Sequence, residues 1–435
     1  MSAVPALSPT IGRLALTGLM LNAVIGSSVF GLPSVIAERL GAASPWAWLV
    51  AAAAMALVVA CFAEVASRFS QAGGAYLYAR VAFGRLPGIE MAWLTYLVRL
   101  TAAATNANLF VIYLAEFRPA ATGPLESRVI LALMLLPLAV ANYRGVGSGL
   151  GVSNAFTVAK LLPLAVFVVA GLGVLLAGSA QTTPPAEPPD LGTWLEVILL
   201  LVFAYGGFEA ALMPLGEAKN PRRDAPVGLF AALGICALLY TLVQAVVVVA
   251  LENPGASSRP LADAARVFLG PPGAVLMAVG ALISVYGYLA GAMLNVPRLT
   301  YAVAEQGDLP ARFGAVHPKF RTPHVSVVLF ACLVWVLAAS GNFLQNLTLS
   351  AVSRLATYGA VCLALIVLRR RERGGSPGVQ AAWFRVPWGP FVALLGMAFS
   401  ALMATRMSGR EVVVLACALV AGLAHWLWMR RRGTA

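Results

Sequence analysis

The residues with chemical potential sit in the middle of apolar runs. Asn22 to Pro33 reads NAVIGSSVFGLP and places Gly26, Ser27, Ser28 and Gly31 inside the first long hydrophobic stretch. A span through hydrocarbon normally satisfies every backbone N–H and C=O within its own helix. Small polar residues at mid-depth therefore point to an unwound turn that lines a wet cavity. The competing reading is that they only let two helices approach closely. A second interruption of the same kind, Phe203-Ala-Tyr-Gly-Gly-Phe-Glu209, lies about halfway along the chain. Two broken spans at corresponding positions of two halves indicate an inverted-repeat transporter with its site near the bilayer midplane.

Ionisable groups inside spans are costly, and each is a functional candidate by default. Lys160, in TVAKLLPL, has no acidic residue within a helical turn. Its alternative reading is a lysine that snorkels to the interface. Arg99, Glu209 and Arg354 fall near mid-depth by residue count, and Glu209 is the acid available to either arginine. Such a pairing serves equally as structural glue or as a gate. Glu64 and Arg298 sit near span ends and read as interfacial anchors or parts of an inner gate.

Composition sets the solvent for these residues. The chain of 435 residues is 60% hydrophobic and 11% charged, with mean hydropathy +0.85, well outside the balance of a soluble domain. It reads as an all-α integral membrane protein embedded in the lipid bilayer. The net charge of +13 is scattered between apolar runs rather than clustered on one module, so nucleic acid is not an expected partner. Five cysteines (Cys61, Cys236, Cys332, Cys362, Cys417) lie in apolar runs without a CxxC pair. They read as core thiols and indicate neither a disulfide framework nor a metal site. Met1 to Ala15 shows no cleavable signal pattern.

A membrane enzyme would ask for His, Asp or Glu clustered at metal or acid–base spacing. His317, His324 and His425 are dispersed, and no GxxxxGK[ST] loop for ATP is present. No catalytic residue, metal or cofactor is expected. A channel would differ from a carrier in showing neither substrate saturation nor counterflow.

With about 20 apolar residues per span, twelve candidates emerge, near 12–36, 45–67, 88–116, 127–143, 152–178, 193–215, 226–251, 272–302, 324–340, 346–368, 387–405 and 411–429. With the N-terminus inside, the outer loops hold only Arg39, Arg118, Arg128, Arg259, Arg266, Arg406 and Arg410. Arg99, Lys160, Arg298 and Arg354 lie within spans, and the rest of the 30 basic residues are inside. That bias predicts both termini cytoplasmic, in the cytoplasmic (inner) membrane. The proline-rich stretch from Gly178 to Leu191 has no basic residue and suits the outside, whereas Arg369 to Arg373 suits retention. One membrane domain fills 1–435: a first repeat over 12–178, a second over 193–373, and two additional helices over 387–432.

Four blocks carry a family resemblance. They are Gly26-Ser-Ser-Val-Phe30 with Pro33; Glu64 to Tyr78 with Phe83-Gly84; Phe203 to Glu209 followed by Glu217 to Pro226; and Arg298 to Pro310 with His317-Pro-Lys319 and Thr322-Pro323. In this order the chain resembles the amino acid, polyamine and organocation permease superfamily, from about residue 12 to 373. The resemblance implies a ten-helix inverted-repeat fold of five plus five spans with the first and sixth broken, and secondary transport of an amino acid. One departure stands out. The family's first break usually reads Gly, a small residue, then Gly, whereas here the third place is Ser28, which narrows the approach to the backbone or adds a hydroxyl to the site.

For an amino-acid substrate, N–H groups at a half-helix N-terminus can take the carboxylate, and carbonyls at a half-helix C-terminus the ammonium. Those roles fall to the backbone of Val24, Ile25, Gly26, Ser27 and Ser28, and of Phe203, Ala204, Tyr205, Gly206 and Gly207. Phe203 resembles the family's aromatic gate; its other reading is a core- or lipid-facing ring. Lys160 resembles the span-five lysine whose ammonium, in proton-coupled or sodium-independent members, stands where relatives bind sodium. Both cations are compact and want oxygen ligands. A titrating Lys160 would make the protein a proton symporter, and a permanently charged one a sodium-independent exchanger or facilitator. No carboxylate other than Glu209 is evident for a cationic side chain, so a neutral amino acid is favoured over a polyamine or cationic one.

Overall fold

The computed structural model describes residues 11–71, 73–145, 150–176, 189–305, 307–375 and 380–431. Without water to bond to, a long apolar segment closes its backbone hydrogen bonds as helix. The first half contains α1 (Arg13–Val24), α2 (Ser28–Leu40), α3 (Ser44–Ala66), α4 (Gly74–Phe83), α5 (Arg85–Leu114), α6 (Pro124–Tyr143) and α7 (Leu150–Leu176). The second contains α8 (Leu191–Tyr205), α9 (Phe208–Ala211), α10 (Pro221–Ala250), α11 (Pro260–Glu305), α12 (His324–Ser340) and α13 (Phe343–Arg373), with α14 (Gly389–Ala404) and α15 (Gly409–Arg431) following. Among the described residues, nine helical stretches are long and apolar enough to cross a membrane, with shorter apolar helices at Arg13–Val24, His324–Ser340 and Gly389–Ala404. The chain is a multi-pass membrane protein. Residues 178–188 of the proline-rich stretch, residues 1–10 and Arg432 lie outside the described residues.

Local chemistry sets several boundaries. The Asp190 carboxylate accepts the Thr193 N–H at 2.7 Å and caps α8, and Asn342 caps α13 by accepting from Gln345 at 2.9 Å. Arg370, Arg371 and Arg373 occupy the last turn of α13, where the helix dipole favours cations. Gly270 (φ 70) breaks α11 just before Pro271 and Pro272, so the segment from Pro260 is a separate arm and the long span starts where the sequence places it, near 272.

The core forms where α13 packs along α5, α10 along α3 and α11 along α7, with α14 against α13 and α15 against α5. α6 and α15 expose Leu133, Leu136, Val413 and Val420, as expected for helices that face lipid tails. Cys332 and Cys417 are exposed on α12 and α15, which corrects their reading as core thiols; Cys61, Cys236 and Cys362 are buried.

The two halves are stitched at one end of the bundle. The backbone of Ile11 accepts from Lys219 N at 2.9 Å and donates to Glu217 O at 3.0 Å, and Arg13 pairs with Asp224 at 2.8 Å. At the same end Asp308 accepts from Arg85 at 2.6 Å and Tyr76 at 2.8 Å and pairs with Arg80. Burial and the adjacent Asp308 carboxylate push the Tyr76 hydroxyl up to about 12. Glu64 is fully buried rather than interfacial. It accepts from Arg369 at 2.7 and 2.5 Å, from Arg68 at 3.2 Å and from the Val386 N–H at 2.9 Å. Arg298 is exposed.

Candidate functional site

Both interruptions break the helix. α1 ends at Val24, Ile25 turns extended (φ −77, ψ 94), and α2 starts at Ser28. α8 ends at Tyr205, Gly206 is extended (φ −80, ψ 168) and Gly207 takes φ 114. Only one α-turn, α9, follows before the tighter helix Met213–Glu217. No long α-helical second half therefore follows this break. The breaks lie against each other: a Cβ built on Gly207 would sit 2.2 Å from the Ala23 carbonyl oxygen.

Carbonyls released at the end of α1 are taken by side chains from other helices. Lys160, on α7, is fully buried, with Nζ 2.8 Å from Ile25 O and 3.2 Å from Asn22 O. The Tyr240 hydroxyl, on α10, reaches Val24 O at 3.3 Å. A buried ammonium is thereby held by carbonyl oxygens at the end of α1. A lysine snorkelling to an interface would not be enclosed in this way.

The second break is held by an ion cluster. Arg354, on α13, donates to Phe203 O at 2.9 Å and lies 5.2 Å from the centre of the Phe203 ring. It is 3.4 Å from Glu209, and Arg99 on α5 is 3.3 Å from the same carboxylate oxygen. The other oxygen of Glu209 accepts the Gly207 N–H at 2.8 Å. The structure thus brings Arg99, Glu209 and Arg354 together, and Arg354 covers Gly206 so closely that a Cβ there would overlap its guanidinium. Between the breaks, Ala204 and Tyr205 are buried, and Tyr205 donates to Trp48 O at 2.9 Å.

Other polar groups lie at the same junction. Ser27 and Ser28 are buried, and among the described residues neither Ser27 Oγ nor Asn106 Oδ1 has a hydrogen-bond partner. Asn106 Oδ1 would be 3.2 Å from a Cβ on Gly26, and Tyr288 of α11 lies at 3.6 Å from the same position. The sequence left Asn106 and Tyr288 unmarked because an uncharged polar residue in a span is common. The signal that remained was Asn106 sitting two turns from Arg99 on one helix face.

Two opposed helix breaks, a captive lysine and unpaired polar groups inside a multi-pass bundle define a membrane carrier. The chain matches the family described as amino acid permease over residues 11–421 and belongs to that family. It is similar to a methylthioribose transporter of Bacillus subtilis, 28% identical over 89% of this chain and 86% of that one. It is also similar to the serine/threonine exchanger SteT of the same organism, 27% identical over 98% of each chain. The branched-chain amino acid permease BcaP is 23% identical over 97% of this chain and 93% of its own.

Proposed function

We propose that this permease is a secondary carrier that moves amino acids across the cytoplasmic membrane by alternating access, without sodium. The observation that carries the reading is Lys160 Nζ bound between the Asn22 and Ile25 carbonyls. An internal ammonium occupies the oxygen cage, so a sodium ion has no vacancy there. The backbone from Val24 to Ser28 and from Phe203 to Gly207 receives the substrate's carboxylate and ammonium, and Phe203 covers it. The architecture behind this reading is twelve spans with both termini cytoplasmic, arranged as two five-span repeats over 12–178 and 193–373, with 387–432 added. Clustering of Arg68, Arg80, Arg85 and Arg369 at one end of the bundle supports that orientation.

Proton exchange at Lys160 would supply a driving force. Obligatory exchange is the second reading, favoured by the full-length similarity to a serine/threonine exchanger. Uptake of a labelled amino-acid panel into sodium-free proteoliposomes tests the proposal, with methylthioribose included because a relative carries that name. Competition by at least one amino acid is expected. Uptake of methylthioribose with no competing amino acid would refute the substrate class, and dependence of uptake on an inward proton gradient would separate symport from exchange.

A further inference from the structure

The break junction holds two arginines against one carboxylate. Arg99 is 3% exposed, Arg354 2% and Glu209 4%, and a guanidinium stays protonated in proteins. Glu209 Oε1 lies 3.3 Å from Arg99 and 3.4 Å from Arg354, yet makes a hydrogen bond to neither; among the described residues Arg99 Nε and Nη2 and Arg354 Nε have no acceptor. Its second oxygen is taken by the Gly207 amide. Among the described residues the cluster therefore carries one positive charge that no carboxylate balances. A buried charge is strongly disfavoured unless it is paired and hydrogen-bonded.

One of the two arginines borders the backbone proposed to hold the substrate. Arg354 overlies Gly206 and binds Phe203 O. Arg99 lies seven residues from Asn106 on α5, about 10 Å along the same face, and the unpaired Asn106 Oδ1 reaches the first break at Gly26. Lys160 is itself a cation, held by the Asn22 and Ile25 carbonyls, and supplies no anion to this cluster.

We propose that Arg99 and Arg354 are specificity-determining residues for an amino acid with a carboxylate side chain, whose second anion completes the Arg99–Glu209–Arg354 cluster. Planar guanidinium groups match a carboxylate through paired N–H donors. An amide isostere leaves the surplus charge unpaired, and a cationic side chain adds to it. This replaces the neutral preference expected from the sequence, which weighed the acids available to a substrate but not the excess of buried arginine over Glu209. The inference rests on the amino-acid carrier reading.

The test is competition for uptake in proteoliposomes by glutamate and aspartate against glutamine, asparagine and arginine. In the parent protein the acids should compete about tenfold or more better than their amides, because a site built for a polar partner rejects an analogue that leaves it unpaired. Arg99→Gln and Arg354→Gln should abolish that ratio, and Arg354→Lys should keep part of it. Thermal stabilisation of the detergent-purified parent by glutamate but not glutamine provides a reading that needs no variant. Equal competition by the amides, or stronger competition by arginine, overturns this inference and leaves the carrier reading standing. Failure of every amino acid to compete overturns both.

Discussion

Gly207 and Ala23 are in backbone contact: a Cβ on Gly207 would lie 2.2 Å from the Ala23 carbonyl oxygen, and Gly207 has φ 114. The second break can rest on the end of α1 only because this residue lacks a side chain, and the strain of a positive φ adds to the overlap. Gly207→Ala is therefore expected to lower uptake at least about tenfold by forcing the breaks apart. Gly173→Ala, where a Cβ meets nothing within 4 Å, should transport like the parent. Uptake rates of the two variants at matched amounts of folded protein check the contrast.

Gly206 differs in what its Cβ would meet, the far end of Arg354 rather than backbone. Gly206→Ala should fold, since that side chain can swing, but the guanidinium should leave Phe203 O. Apparent substrate affinity is then expected to weaken more than the melting temperature falls. A large loss of stability with unchanged affinity would contradict this arrangement.

Glu64 joins α3 to α13 and to the segment before α14 through Arg68, Arg369 and the Val386 amide. Removing one partner of a buried ion pair leaves the other charge uncompensated, a cost of about 3–5 kcal/mol. Glu64→Gln should lower the melting temperature in detergent, and the double variant Glu64→Gln with Arg369→Met should recover part of the loss. A more severe double variant would argue against the pairing.

Gln244 is fully buried and bridges α10 to α2 and α3, donating to Pro33 O at 3.1 Å and Ser44 Oγ at 3.0 Å while accepting from Trp48 at 3.0 Å. Gln244→Leu removes the partner of the buried Ser44 hydroxyl and of the Trp48 indole N–H, at a cost of about 1–3 kcal/mol each. A drop in thermal stability is expected without a change in which amino acids compete for uptake.

The helix interruptions were legible because Gly and Ser inside an apolar run conflict with a continuous span, and Lys160 stood out because a lone cation in a span demands oxygen ligands. Its actual ligands, the Asn22 and Ile25 carbonyls, come from a helix 135 or more residues away, and no local pattern encodes such a pairing. The burial of Glu64 was hidden for the same reason, since Arg369 is 305 residues distant. The outward-facing Cys332 and Cys417 were misread because helices that are apolar all round give no periodic clue to which face meets lipid.

The most direct measurement is amino-acid uptake in sodium-free proteoliposomes by the parent and by Lys160→Ala, with and without an imposed proton gradient. Full uptake by the parent without sodium is expected, with a fall of about tenfold or more in Lys160→Ala, because two buried carbonyls of the first break lose their donor. Strict sodium dependence of the parent, or unchanged uptake and pH response in Lys160→Ala, would contradict that expectation.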